Sequence, residues 1–465
     1  MKNRPIIGLI IILALPALSF CGFYVAQAGA DLFNHSSEVI LVRNGNRTVV
    51  TMANDFQGDV KDFAMVVPVP EVLAREDIRV IERDIFVRFD GYSGPRLVEY
   101  WDDDPCQDYL LKEEMMQSAE AVEDGGADFE GVTIEAEYQV GEYQILILSA
   151  TESQGLKNWL TRNGYQIPEK ANEVLEPYIK SDLKFFVVKV NLEELNQTGY
   201  DYLRPLQIEY ESEEFMLPIR LGMANADGNQ DLIIYALSEK GMIECTNYQT
   251  YEVPSNLDIP VFVKDTFDAF YVDLFAKTHE LNPKAVFLEY SWNLDSDNYL
   301  KCDPCSGEPP YFEDLELAGV NWLEQTEQEG MRGNNYDGKL HFTRLHVRYN
   351  RQNFPQDLLF QETPNKDNFQ ARYIMNHPYQ GEIDCIKGIS YQKDLAKRKE
   401  RELENLAQLT GWNGADFPEF VMRNQQLKLQ AEISQRKLWI RYGGIALVLI
   451  LIMIGGIGWL ALRKD

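Results

Sequence analysis

Alternating apolar and polar positions predict strands joined by short turns over much of the chain. The clearest pair spans residues 38–43 and 47–52 around Asn44-Gly45-Asn46. An Asn-Gly between β-branched residues is a strong hairpin signal. A second hairpin is predicted around Gly141. Further apolar strands are predicted at residues 64–70, 185–188, 206–210, 216–221, 232–237 and 285–290.

Helical spacing of apolar residues predicts short helices at residues 152–163 and 169–179. The mixture predicts an α+β fold class with largely antiparallel sheet. From residue 391 the sequence predicts a charged helix that is broken at residues 410–414. A second polar helix is predicted to start at Pro418. We interpret residues 391–441 as a helical stalk. A coiled-coil oligomer is the alternative, but the apolar seam is too sparse to predict one from the sequence alone.

Two uncharged apolar stretches lie at opposite ends of the chain. Lys2 and Arg4, an apolar run and the small residues 26–30 have the pattern of a secretory signal, with cleavage after Ala28 or Ala30. A retained membrane anchor and a lipid-modified Cys21 are the alternatives. Residues 442–462 carry no charge and are long enough for one transmembrane helix.

These stretches predict the domain organisation and the localisation. We expect a signal peptide at residues 1–30, an extracytoplasmic body at 31–390, the stalk at 391–441, the transmembrane helix at 442–462 and a cytoplasmic tail at 463–465. A boundary within the body is predicted near residues 245–260. Because the first segment usually sets topology, the body is expected on the extracytoplasmic side of the membrane.

The net charge of the chain limits the kinds of molecule that it is expected to bind. The sequence has 44 basic and 73 acidic residues, which gives a net charge of -29. A nucleic acid partner is therefore not expected, because phosphate binding needs clustered Lys and Arg. The hydrophobic content of 45% and the aromatic content of 12% predict a folded core.

The cysteines supply the first candidate site. Removal of Cys21 with the signal leaves five cysteines, so at least one thiol has no partner within the monomer. Cys302 and Cys305 form a Cys-Asp-Pro-Cys pair after an apolar strand, as in thioredoxin-type redox sites. No helix is predicted to begin at Cys302, so a structural disulfide is the alternative. No histidine spacing predicts a metal site, and no motif predicts a cofactor.

The second candidate site is a basic strand. Strand alternation places Arg344, His346 and Arg348 on one face, where they are candidates for binding an anion or a carboxylate. Pairing with the protein's own acidic residues is the alternative. The acidic run 102–104 beside Glu99 is interpreted as a solvated turn, since it lacks the ligand order of a calcium loop.

Several long motifs resemble a known family of exported bacterial proteins, domain of unknown function 2330. They are LFNHSSEVILVRNGNRTVVTMANDFQGDVKDFAMVVPVP, PRLVEYWDDDPC, RLGMANADGNQDL, KCDPC and TRLHVRYNRQNFPQDLLFQET. The resemblance runs from about residue 32 to residue 385. It implies an exported bacterial protein, so the body is expected on the periplasmic side of the cytoplasmic membrane of a bacterium, and it brings no activity or catalytic residues.

The sequence therefore predicts a membrane-anchored, extracytoplasmic protein with a non-enzymatic role in binding or as a scaffold of the cell envelope. An envelope protein is the expected partner. The alternative is an extracytoplasmic thiol-disulfide oxidoreductase that uses Cys302 and Cys305. The ligand, the oligomeric state and the cysteine connectivity are left open by the sequence.

Overall fold

The computed structural model describes most of the chain between residues 23 and 440. The described segments are 23–27, 33–57, 62–106, 136–149, 165–166, 171–191, 203–224, 228–295, 309–326, 335–383, 385–433 and 435–437, with isolated positions 159, 195 and 440. The candidate pair Cys302 and Cys305, the predicted transmembrane stretch 442–462 and the tail 463–465 lie outside these segments.

The chain forms two compact units. The first consists of residues 1–95, 119–253 and 282–370, and the second of residues 96–118, 254–281 and 371–465. One crossing, between residues 253 and 254, falls within the range 245–260 in which the sequence predicts a boundary.

A nine-stranded sheet is the centre of the first unit. Eight strands follow the order β15-β17-β20-β13-β2-β3-β11-β5, and β22 pairs with β17. The strands are β2 (Phe33–Asn44), β3 (Arg47–Gln57), β5 (Ile78–Val80), β11 (Leu206–Glu211), β13 (Gln230–Ser238), β15 (Thr250–Glu252), β17 (Val286–Asn293), β20 (His341–Tyr349) and β22 (Phe369–Gln370). β13 runs parallel to β2 and antiparallel to β20.

A six-stranded antiparallel sheet is the second layer of this unit. Its order is β7-β8-β10-β4-β1-β9. The strands are β1 (Phe23–Gln27), β4 (Asp62–Val69), β7 (Ala136–Val140), β8 (Tyr143–Leu148), β9 (Tyr165–Gln166) and β10 (Lys184–Asn191). Two small antiparallel sheets complete the unit, namely β12 (Met216–Leu217), β21 (Leu358–Glu362) and β14 (Ile243–Cys245), and β18 (Glu324–Gln325) with β19 (Tyr336–Asp337).

Three helices of the described segments cover the sheets of the first unit. They are α1 (Asp84–Ser93), α2 (Ala171–Lys180) and α4 (Phe312–Ala318). Apolar side chains of both large sheets form one buried cluster that includes Val39, Phe186 and Leu345. On the opposite face of the nine-stranded sheet, side chains of α1 and α4 form a second cluster with Tyr235 and Phe342. That face of the sheet carries the basic strand residues.

The second unit is built on a three-stranded parallel sheet. Its order is β16 (Leu257–Asp258), β23 (Arg372–His377) and β6 (Arg96–Trp101). The helices of its described residues are α3 (Phe267–Leu281), α5 (Ile386–Thr410) and α6, whose described residues are 418–433, 435–437 and 440. Short 3-10 helices occur in both units at Arg75–Asp77, Gly222–Ala224, Val261–Thr266 and Gly414–Asp416.

The predicted stalk begins inside this second unit. Helix α5 starts at Ile386, and it ends before Gly411, whose φ of 83° forms the left-handed C-cap. Leu406 and Leu409 are buried with Phe270 of α3 and Tyr373 of β23. The helix therefore contributes an apolar face to the core of the unit, and residues 391–410 do not form a free stalk.

The described part of the chain confirms the predicted fold class, α+β with mostly antiparallel sheet. Both predicted hairpins are present, with Gly45 at φ 59° and Gly141 at φ 58° in the turns. No helix within the described segments combines the length and the apolar character needed to cross a membrane.

Candidate functional site

The basic strand β20 has two faces of opposite character. Leu345, Val347 and Tyr349 are fully buried in the apolar cluster between the large sheets. Arg344, His346 and Arg348 alternate with them and lie on the other face, as strand periodicity predicts. The structure therefore brings together the three residues that the sequence singled out.

A bulge in β17 supplies the main carboxylate partner. The pairing of β17 with β20 shifts register between Leu288 and Tyr290. Leu288 faces the inter-sheet cluster and Tyr290 the opposite cluster, so Glu289 and Tyr290 both point to the face of Arg344. A bulge places two successive side chains on one face, which regular alternation forbids. Glu289 is 1% exposed there.

Glu289 holds two of the basic residues. Its Oε2 accepts a hydrogen bond of 2.7 Å from Nε of Arg344, and its Oε1 lies 2.8 Å from Nδ1 of His346. A terminal nitrogen of Arg344 also donates to Asp90 of α1 at 2.6 Å. The guanidinium of Arg344 lies 5.3 Å from the ring centroid of Tyr235, within cation–π range.

The neighbouring strand β13 supplies the second carboxylate. Asp231 accepts two hydrogen bonds of 2.7 Å from Arg348, in the bidentate geometry that suits a guanidinium. Nε2 of His346 lies 3.3 Å from the same carboxylate. The imidazole of His346 is therefore held between Asp231 and Glu289.

The electrostatics follow from this arrangement. Burial acts to lower the pKa of His346, but the carboxylates of Glu289 and Asp231 outweigh it and raise the pKa above its ordinary value. Burial acts to raise the pKa of Asp231, yet hydrogen bonds from His346 and Arg348 hold it well below its ordinary range. We name this set of residues, Asp90, Asp231, Glu289, Arg344, His346 and Arg348, the β20 charge network.

Within the β20 charge network, each cationic side chain has a carboxylate of the same chain within ion-pair distance. An external anion would have to displace Glu289 or Asp231 to reach Arg344, His346 or Arg348. The geometry therefore matches the alternative interpretation of the basic strand, pairing with the protein's own acidic residues. Anion binding at this strand stays a prediction.

A buried serine and histidine form a second polar cluster that the sequence does not indicate. Oγ of Ser291 lies 2.8 Å from Nε2 of His341, and both residues are 0% exposed. Ser291 donates its own proton to the carbonyl of Asp367 at 3.1 Å. Nε2 of His341 is then the donor to Ser291, which is the wrong direction for a histidine that activates a serine nucleophile.

Burial is the main cause that lowers the pKa of His341, to about 4. The imidazole is consequently neutral at pH 7, in keeping with a structural role. Ser291 and His341 are 50 residues apart in the chain, so no motif joins them. Only the pairing of β17 with β20 makes them neighbours.

The five cysteines that follow the predicted signal peptide divide into three groups. Cys106 and Cys385 form a disulfide that joins residues 279 positions apart within the second unit. Cys245 is a free, buried cysteine of the first unit. Cys302 and Cys305 lie outside the described residues.

Asp102 of the acidic run and the nearby Glu99 both contact basic side chains of the second unit. Asp102 accepts hydrogen bonds from Arg398 at 2.6 and 2.9 Å, and Glu99 pairs with Lys264 and His377. Within the described segments, no group of three His, Cys, Asp or Glu residues is placed to hold a metal ion.

Comparison with protein families gives one match. Residues 15–361 match the model of DUF2330, described as an uncharacterized protein conserved in bacteria. The chain belongs to the DUF2330 family. The family assignment confirms the resemblance found in the sequence motifs. Comparison with curated proteins and with solved structures gives no match.

The position of His346 predicts a pH dependence of stability for this DUF2330 protein. Its pKa is raised in the folded state, so its contribution is fully present below about pH 6.5, the unfolded value, and is lost as pH rises through the folded value. We expect the difference in unfolding free energy between wild type and His346→Gln to shrink between pH 6 and pH 9, as measured by urea unfolding.

His341→Gln is the control with the opposite sign. Its pKa is lowered in the folded state, so its contribution is present above about pH 6.5 and is lost as pH falls toward the folded value. A pH-independent difference for His346→Gln would show that the imidazole is not held between charged carboxylates.

Proposed function

We propose that this DUF2330 protein is tethered to the cytoplasmic membrane of a bacterium, with its body outside, and has a non-enzymatic role in binding or as an envelope scaffold. The observation that carries the location is the disulfide between Cys106 and Cys385. Disulfides persist in oxidising compartments and are rare in the cytosol. The apolar stretch 442–462 and the signal-like start of the chain support the tether.

The internal pairing of charges supports a non-enzymatic role. A catalytic base or nucleophile needs access to its substrate. Glu289 and Arg344 are buried against each other, and Ser291 and His341 are fully buried. Both clusters stabilise the nine-stranded sheet in ways that need no ligand.

Protease accessibility tests the location. For this test the protein carries an epitope tag after Asp465. When spheroplasts are treated with external protease, the body is expected to be digested while the tag stays protected. Digestion of the body only after the membrane is broken would contradict the proposal. Sequencing of the mature N-terminus is a separate test of signal cleavage. Cleavage after Ala28 or Ala30 would also remove strand β1.

The thiol-disulfide oxidoreductase is the second candidate, because Cys302 and Cys305 form a Cys-Asp-Pro-Cys pair in the sequence. Titration against glutathione, followed by alkylation and mass spectrometry of the separate peptides, distinguishes this pair from Cys106 and Cys385. A midpoint below about -300 mV would assign a structural disulfide. A midpoint well above it would favour the oxidoreductase.

A further inference from the structure

Helix α6 has two faces that bear apolar side chains, and the described part of the chain covers only one of them. Ala431 and Asn424 are buried, and Lys428 of α6 pairs with Glu400 of α5. Phe420 packs its ring against Phe262 of the same unit. These contacts fix the side of α6 that belongs to the core of the second unit.

The opposite side of α6 carries a line of exposed apolar residues. Met422 is 54% exposed, Leu429 58%, Ile433 43% and Ile440 76%. Single exposed apolar residues are normal on a protein surface, but these four follow spacings of seven, four and seven residues. At 100° per residue they fall within about 40° of one another around the helix. We call this line the α6 seam.

The spacing of the α6 seam is that of a heptad repeat. With Met422 and Leu429 at position d, Ile433 and Ile440 occupy position a. The buried Asn424 and Ala431 are then at position f, opposite the seam. The same helix can therefore pack on its own unit and offer a coiled-coil face at the same time.

We propose that the α6 seam pairs with the α6 seam of a second copy of this chain, as a parallel two-stranded coiled coil. The parallel direction rests on the tether proposed above. Two copies that are anchored in the same membrane through residues 442–462 have the same orientation. Confinement to the membrane also raises the effective concentration of the partner. In the sequence, the α6 seam is followed directly by the predicted transmembrane stretch 442–462.

The charges beside the seam fit a parallel pair. Glu432 is at position g and Lys437 at the following position e, which face each other between the two chains of a parallel coiled coil. Two such opposite-charge pairs form in each dimer. Gln426 at position a and Arg436 at position d are polar, which lowers the stability of the coiled coil and favours one register. Glu432 lies four residues before Arg436 on the same helix, where the two side chains can pair.

Cysteine crosslinking of the full chain in its own membranes tests the dimer. Ile433→Cys places a thiol in the seam, and Gln435→Cys places one at position c, two residues away on the outer surface. Because a disulfide needs Cβ atoms about 4 Å apart, oxidation is expected to give at least about tenfold more dimer with Ile433→Cys. Equal yields, or no dimer above the wild-type background, would overturn the proposal.

Charge reversal tests the parallel register. Glu432→Lys places like charges opposite each other and is expected to lower the dimer yield of Ile433→Cys several-fold, by roughly five- to tenfold. Adding Lys437→Glu is expected to restore the yield. Both positions are exposed, so the fold of the second unit is left intact. Failure of the second change to restore the yield would contradict the parallel arrangement.

Alkaline extraction of the same membranes separates this inference from the proposed function. Extracted protein that still crosslinks at Ile433→Cys and has the mass of a dimer would support the seam while contradicting the tether. Protein that stays in the membrane and does not crosslink would support the tether while contradicting the seam.

Discussion

Arg344→Met is expected to lower the free energy of unfolding by about 3 to 5 kcal/mol, because it removes the guanidinium that neutralises a buried carboxylate. Glu289 is 1% exposed and would keep only His346 as its cationic partner within the β20 charge network. Methionine retains much of the apolar volume, so the loss reports charge more than packing. Urea unfolding of the variant measures it.

Two further variants make the result specific. Arg88→Ala breaks a more exposed pair with Asp314 and is expected to cost less than about 1 kcal/mol. Arg344→Met combined with Glu289→Gln is expected to recover part of the loss, since the buried carboxylate is then removed together with the guanidinium that neutralises it. A loss within about 1 kcal/mol for Arg344→Met alone would mean that the face is hydrated. That outcome would favour anion binding at the basic strand.

Removal of the disulfide is expected to destabilise the second unit by about 2 to 5 kcal/mol. The bond between Cys106 and Cys385 closes a loop of 279 residues, which restricts the unfolded chain strongly. Cys385 is also the N-cap of α5, where its sulfur accepts from the amide of Gly388. Replacing both cysteines by serine keeps a capping oxygen at position 385, so the variant isolates the covalent bond.

Hydrogen exchange of α5 peptides measures this loss within the second unit. Wild type in reductant is expected to show the protection of the double serine variant, and the variant is expected to be insensitive to reductant. Cys385→Ala in the same background removes the cap as well and is expected to cost about 1 kcal/mol more. Unchanged protection of wild type in reductant would show that the bond does not stabilise α5.

The elements that the sequence predicts best are those with a local cause. The turn at Gly45 needs a positive φ, and Asn-Gly supplies it between two alternating strands. The end of α5 at Gly411 has the same origin, a residue that adopts the left-handed conformation without a steric penalty. Such signals act over a few residues and are complete within the sequence.

The candidate site was predicted only in part. Alternation placed Arg344, His346 and Arg348 on one face, because strand geometry repeats every two residues. It did not predict their partners. Arg344 meets Glu289 and Asp90 across separations of 55 and 254 residues. The bulge that turns Glu289 toward Arg344 depends on the pairing of β17 with β20, and it has no local signature in the sequence.

By itself, therefore, the sequence determined the α+β class, the hairpins, the family and the alternating faces of β20, because turn chemistry, periodicity and motif identity are properties of neighbouring residues. The tertiary structure decided which carboxylates neutralise the basic strand, which cysteines join and which side of α6 stays exposed. Those outcomes depend on contacts between distant segments, and only the folded backbone brings the segments together.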